Sequence, residues 1–355
     1  MTDVTPRFRS VLAGFTAYKP GRTPVDAAGQ TYKLSGNESP YGPLPSVLDV
    51  IAESAQAVNR YPDNGAAELT GALAARYGVP ASHVAVGCGS TGVLQQLFEA
   101  VGEPGAEVLY AWRSFEAYPA LTALAAAEPV TVPLREERHD LAAMAAAITP
   151  RTRMIFICNP NNPTGTVVPA GELAGFLDQV PPDCLVVLDE AYREYVRDGA
   201  GPDGIELYRD RPNVAVLRTF SKAYGLAGLR AGYMIAHPAV AAAARSTLLP
   251  FAVNHIGQAA AIASLAAEEE LMERVDLVVK ERSRVCAELT ANGWMIPPTE
   301  ANFIWLRLGE RTMEFAARCA AAGIAIRPYA GEGARVSIGD AEANDAFLQV
   351  AHEWQ

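Results

Sequence analysis

From about residue 65 to about residue 250, short apolar runs alternate with longer stretches in which apolar and polar residues recur at helical spacing. The runs "HVAVG", "EVLYA", "PVTVPL", "MIFICN", "LVVLDE", "VAVLRTF" and "AGYMIAH" are rich in β-branched and aromatic residues and are of strand length. Alanine-rich segments such as "AAELTGALAARYG", "LAAMAAAI" and "AGELAGFLDQV" lie between most of them and predict helices. Such alternation predicts an α/β fold: a mostly parallel seven-stranded sheet with helices on both faces. Ligands of such sheets bind beyond the carboxyl ends of the strands. After residue 250 the pattern changes. "HIGQAAAIASLAAEEELMERVDLVVKERSRVCAELTANG" predicts one long helix, followed by "ANFIWLRL", a helix, "IAIRPY", "RVSIG" and a last helix. The expected division is an N-terminal arm over residues 1–34, a large domain over 35–250 and a smaller α+β domain over 251–355.

Composition narrows the class. A chain of 355 residues, half of them hydrophobic, can bury a large core and form two domains. The net charge of −11 argues against nucleic acid or an anionic membrane as the partner, since both need a basic face. No apolar stretch exceeds strand length enough to span a bilayer, and "MTDVTPRFRSVLAGF" interrupts its short apolar stretch with arginines, so a cytoplasmic protein is expected. Cys88, Cys158, Cys184, Cys286 and Cys319 form no CxxC pair and read as buried thiols in a reducing compartment. The five histidines form no HxxxH or HExxH, and no metal site is expected.

Candidate chemistry gathers where three of the runs end. "MIFICNPNNPTG" closes on Asn162-Pro163-Thr164-Gly165, "LVVLDEAY" carries Asp189 and Tyr192, and "VAVLRTFSK" carries Thr219, Ser221 and Lys222. On a parallel sheet these ends share one edge. Singly, the first reads as a turn and Asp189 as a helix cap. A lysine held near apolar groups and other cations, as Lys222 with Arg230 eight residues on, loses its proton more easily. The free amine then condenses with aldehydes and ketones. "GCGSTG" follows a strand and opens a helix, which offers backbone N–H groups and a favourable dipole to an anion at Ser90 and Thr91. Residues Gly87 to Gly92 also satisfy G-x-G-x-x-G, the fingerprint of a nicotinamide-dependent dehydrogenase. That reading requires an acid at the end of the next strand, but "EVLYAWR" has Glu107 at its start and none at its end.

With "GNESPYGP", "NRYPDN", "GCGS", "NPNNPTG", "DEAY", "FSKAYGLAGLRAGY", "RPY" and "RVSIG", the chain resembles the fold type I pyridoxal-phosphate-dependent aminotransferases over nearly its whole length. Within them it is similar to the branch of histidinol-phosphate aminotransferases and actinobacterial aromatic amino acid (phenylalanine) aminotransferases. The resemblance implies that Lys222 binds the cofactor aldehyde and shuttles the substrate proton, and that Asp189 keeps the pyridine nitrogen protonated. It implies that Asn162 and Tyr192 hold the ring's 3-oxygen and that Phe115 stacks on the ring, where relatives often carry Tyr. Ser90, Thr91, Thr219, Ser221 and Arg230 would hold the phosphate. A homodimer with a shared active site is implied, Tyr61 reaching the neighbouring subunit's phosphate.

For the substrate, the resemblance implies Arg335, with Arg327 and Asn37 assisting. A guanidinium suits either a carboxylate or the phosphate of histidinol phosphate. Histidinol-phosphate aminotransferases usually carry an acidic pair after the phosphate loop, where this chain has Thr91 and Gly92. Tyr18, Trp112 and Phe115 would line an apolar pocket for a ring. The expected reaction is therefore amino transfer between an aromatic amino acid and 2-oxoglutarate, with histidinol-phosphate transamination as the alternative.

Overall fold

The computed structural model describes residues 6–14, 31–197 and 199–354. A short strand, β1 (Tyr32–Lys33), lies outside the main sheet, which is built from β2 (Val84–Cys88), β3 (Glu107–Trp112), β4 (Glu128–Pro133), β5 (Thr152–Cys158), β6 (Leu185–Asp189), β7 (Val214–Thr219) and β8 (Ala231–Ala236). Their order is β2-β8-β7-β6-β5-β3-β4, and only β8 runs antiparallel to its neighbours. The seven expected runs are these seven strands.

Alternation within a strand feeds two cores. Val186 and Leu188 of β6, with Val214 and Val216 of β7, face one layer. Leu185, Val187, Ala215 and Leu217 face the other. Both faces are covered, so β6, β7 and β8 are buried at every position and read as continuous apolar runs. The edge strand β4 is mostly exposed and carries Pro129 and Pro133, which an edge tolerates. From β3 the chain crosses to β4 on one side, and from β5 to β6 on the other. The order thus reverses between β3 and β5, which places a crevice at their carboxyl ends.

The single long helix expected after residue 255 is instead two, His255–Ala266 and Glu268–Ala291, broken at Ala267 (φ −106°, ψ 25°). Glu268, Glu269 and Glu270 open the second helix, where acids complement its dipole. Glu268 is held by Arg76 (2.6 Å) and by the Tyr224 hydroxyl (3.0 Å). The break lets the first helix pack on helices Pro45–Ser54 and Ala67–Tyr77 while the second packs on Ala341–His352.

The C-terminal part adds β9 (Phe303–Arg307), β10 (Ile324–Ala325), β11 (Arg327–Tyr329) and β12 (Gly333–Ser337). "IAIRPY" is thus split in two. β11, β12 and β9 form an antiparallel sheet in that order, and β10 pairs in parallel with β1. Because β1 is anchored here, and Ser337 N–H donates to Leu34 O (2.9 Å), the residues that follow β1 are delivered to the edge of the main sheet.

Candidate active site

Lys222 stands three residues beyond β7, and its Nζ donates to the Gly36 carbonyl (3.0 Å), part of the segment led in by β1. Burial, then the positive charges of Arg335 and Arg230, lower its pKa to about 8, against the opposing pull of Glu38. About a tenth of this amine is therefore free at pH 7, far more than for an ordinary lysine, and the free amine is the state a nucleophile needs.

Asp189 ends β6 and is 4% exposed. Burial raises its pKa to about 6, while the Tyr118 hydroxyl, donating to Oδ2 at 2.7 Å, and the Ala191 N–H pull it back. The other oxygen, Oδ1, is buried with no hydrogen-bond partner. A buried carboxylate oxygen without a donor is costly, so this atom calls for an N–H from a bound group.

Tyr192 is buried, and its phenolic oxygen accepts from Asn37 Nδ2 (2.9 Å). Burial raises the phenol's pKa, so its proton is retained for an acceptor in the cleft. Asn37 has φ 55°, a left-handed conformation asparagine tolerates, and its own N–H donates to Ser337 Oγ (2.8 Å). Arg335, 7% exposed, donates from Nη1 to Asn162 Oδ1 (2.6 Å) and from Nη2 to Ser35 O (2.6 Å). Its Nε has no hydrogen-bond partner. Among the described residues no carboxylate pairs with this buried guanidinium, so an anionic ligand would complete it.

The residues expected to cradle an anion lie together at the start of helix Gly89–Val101. Gly89 has φ +71°, and a Cβ there would lie 2.5 Å from Arg230 Nη2. A Cβ on Gly232 would lie 2.2 Å from Ser90 N. Both glycines are needed for this close packing. Arg230 Nη1 donates to Ser221 Oγ (3.3 Å) and Ser221 N–H to Thr219 Oγ1 (3.1 Å). Ser90 is half-buried and Thr91 exposed at the helix start. Cys88, which closes β2 against this turn, is exposed rather than buried as expected, because the strand ends there at the mouth of the cradle.

Phe115 meets the Tyr118 ring edge-on at 5.6 Å, and Trp112 lies beneath the Arg113 guanidinium at 4.5 Å. Arg327 is held by Glu116, with Nη2 2.8 Å from Oε1. Tyr61 is 82% exposed and stacks on Phe251 at 4.5 Å. Tyr18 lies outside the described residues.

Tyr118 is a site residue that the sequence reading passed over, since a tyrosine within a helical pattern looks like core. So is Asn161, which ties the Asn-Pro turn to Ser114 Oγ (2.8 Å) and Thr164 Oγ1 (2.9 Å). Its other neighbour, His139, is driven by burial to a pKa of about 4 and is neutral. A separate cavity of about 540 Å³ lies beside Arg76, Glu194, Arg218 and Glu268. It borders the buried Arg218–Glu190 pair (2.7 Å) and holds none of the residues above.

Residues 30–350 match the family aminotransferase class I and II. The chain belongs to the class I and II aminotransferases. An aromatic amino acid aminotransferase of Thermobifida fusca is 67% identical over 98% of this chain and 97% of the relative. One from Mycobacterium tuberculosis is 52% identical over 99% of each. The crystal structure of a histidinol-phosphate aminotransferase from Sinorhizobium meliloti, in complex with pyridoxal-5'-phosphate, superposes with a TM-score of 0.90 at 31% identity, over 100% of both chains. For an aminotransferase of this family the donor set is apt: an amine of lowered pKa, a buried carboxylate oxygen lacking a donor, and an anion cradle with an arginine.

Proposed function

We propose that the chain is an aromatic amino acid aminotransferase that uses pyridoxal 5'-phosphate to move the amino group of phenylalanine, tyrosine or tryptophan to 2-oxoglutarate. When bound, pyridoxal phosphate supplies an aldehyde that condenses with amines and a ring that accepts electrons. The site fits it. Asp189 Oδ1 lacks the donor that a protonated ring nitrogen provides, and the crowding of Gly89 and Gly232 brings the helix start, Ser221 and Arg230 into a phosphate cradle.

On this reading Lys222 would hold the cofactor through its amine, and its free amine would serve as the base that takes the proton from the substrate's Cα. Asp189 keeps the ring nitrogen protonated, while Asn162 and Tyr192 orient the ring's oxygen and Phe115 covers the ring. Ser90, Thr91, Thr219, Ser221 and Arg230 bind the phosphate. Arg335, the buried guanidinium with no carboxylate among its described partners, carries the substrate assignment by binding the amino acid's carboxylate, and Asn37, itself held by Tyr192 and Ser337, assists. The names of the similar aminotransferases, the absence of an acidic pair after "GCGS", and Trp112 with Phe115 support an aromatic side chain. Exposed Tyr61 stacked on Phe251, beside exposed Leu249, supports a homodimer in which Tyr61 reaches the partner's phosphate. No described helix is long and apolar enough to cross a membrane, which agrees with a cytoplasmic enzyme.

Purified protein should carry a visible absorbance band from the lysine-bound cofactor, and kcat/KM for phenylalanine or tyrosine should exceed that for histidinol phosphate. A preference for histidinol phosphate would transfer the assignment to that reaction.

A further inference from the structure

Two arginines stand on one wall of the site. β11 and β12 are antiparallel with Arg327 directly opposite Arg335, so both side chains leave the same face of the C-terminal sheet with Cβ atoms about 5 Å apart. Left as they are, two neighbouring guanidiniums would match a dianion, or a substrate with a second anionic group. The structure treats them differently. Arg335 has only neutral oxygens as described partners: Asn162 Oδ1 and Ser35 O. Arg327 faces a carboxylate. Its Nη2 donates to both oxygens of Glu116 (2.8 and 3.0 Å) and its Nε to Oε2 (3.2 Å), while the Tyr329 hydroxyl adds a fourth contact at 3.3 Å.

Glu116 is itself placed by the cofactor wall. It follows Phe115 and precedes Tyr118, whose hydroxyl fixes Asp189. We infer that Glu116 is a specificity-determining residue: it neutralises Arg327, so the wall offers one net positive charge, enough for a single carboxylate, and disfavours amino donors that bring two negative charges to it, whether as one phosphomonoester dianion or as a second carboxylate. This rests on the aminotransferase reading above, and on Arg335 as the carboxylate site. The fit is electrostatic. A phosphomonoester or second carboxylate entering beside Arg335 meets the Glu116 carboxylate, and must displace it from a fork of charge-assisted hydrogen bonds. A phenyl ring meets no such barrier. The Glu116 side chain is 30% exposed, so it can leave Arg327 for water when a dianion forces it. The acceptor 2-oxoglutarate, a dicarboxylate, meets the same obstacle, so its KM should fall when the carboxylate is removed.

The test is Glu116→Gln in the cofactor-loaded enzyme, with Glu116→Ala alongside should the first variant accumulate poorly. At saturating acceptor, kcat/KM is measured for phenylalanine and for histidinol phosphate in each variant and in wild type. Inorganic phosphate is titrated separately against the cofactor's absorbance. The expected result is a rise of about ten-fold or more in the ratio of histidinol phosphate to phenylalanine, the lower end of what a charge-assisted hydrogen bond yields, together with tighter phosphate binding. Arg327→Gln added to Glu116→Gln should cancel both gains. An unchanged ratio, with both donors losing equally, would show that Glu116 only braces the C-terminal sheet and would overturn the inference. A wild-type preference for histidinol phosphate, by contrast, overturns the proposed donor and leaves the variant-to-wild-type ratio still decisive for Glu116.

Discussion

Tyr118→Phe removes one oxygen from the interior and leaves the ring where it is, stacked on Phe156 at 4.5 Å and edge-on to Phe115. What it takes away is the 2.7 Å hydrogen bond to Asp189 Oδ2. A hydrogen bond to a charged group contributes about 1.5–3 kcal/mol, and each pKa unit is worth roughly 1.4 kcal/mol. Losing this donor therefore raises the proton affinity of Asp189 by about one to two pKa units beyond the elevation that burial already imposes. The carboxylate must be ionised to hold the ring proton, so the variant should lose about 5- to 50-fold in kcat/KM for phenylalanine at pH 6 and no more than about twofold at pH 8. The sign of the pH effect follows. A carboxyl with a higher pKa stays protonated to higher pH, so the deficit is larger at pH 6 than at pH 8. The assay is steady-state kinetics across that range for wild type, Tyr118→Phe, Asp189→Asn and the double variant. In the Asn background no ionised carboxylate remains to be stabilised, and the hydroxyl's contribution should shrink to about threefold or less. A loss of equal size in both backgrounds, independent of pH, would refute the coupling of Tyr118 to catalysis through Asp189.

Cofactor-free protein should capture pyridoxal phosphate at a rate that rises with pH and levels off with a midpoint near 8, the lowered pKa of Lys222; a midpoint near the ordinary lysine value of 10.5 would contradict the electrostatics of the site. Hybrid dimers re-formed from Tyr61→Phe and Lys222→Ala protein should recover about half of wild-type activity, because one of the two sites then carries neither lesion; activity no higher than that of the Tyr61→Phe parent would argue against a shared site. Arg218→Met leaves Glu190 buried without its partner (2.7 Å) and should destabilise the protein by about 3–5 kcal/mol in urea unfolding. A change below about 1 kcal/mol would mean that the pair is dispensable.

The main sheet is legible in the sequence because both of its faces are covered: a strand buried on two sides is apolar at most positions, and β5, β6 and β7 stand out for that reason despite the paired Arg218 in β7. Their parallel course then brings Asn162, Asp189 and Lys222 to one edge without further information. The break at Ala267 leaves no such trace. Alanine-rich helical pattern continues through it, and what stops the helix is tertiary, the hold that Arg76 and Tyr224 have on Glu268. Tyr118 was hidden for a related reason, since one buried tyrosine in a helix looks like any other until the helix is laid against the end of β6. Glu116 and Arg327 lie 211 residues apart. Periodicity specifies which side of an element is buried, but the meeting of two polar groups depends on the register of a distant sheet, and Arg327 could be assigned to a substrate only while its partner was unknown. Once Glu116 is in place the two arginines are no longer equivalent, and the wall they share favours a donor with one negative charge.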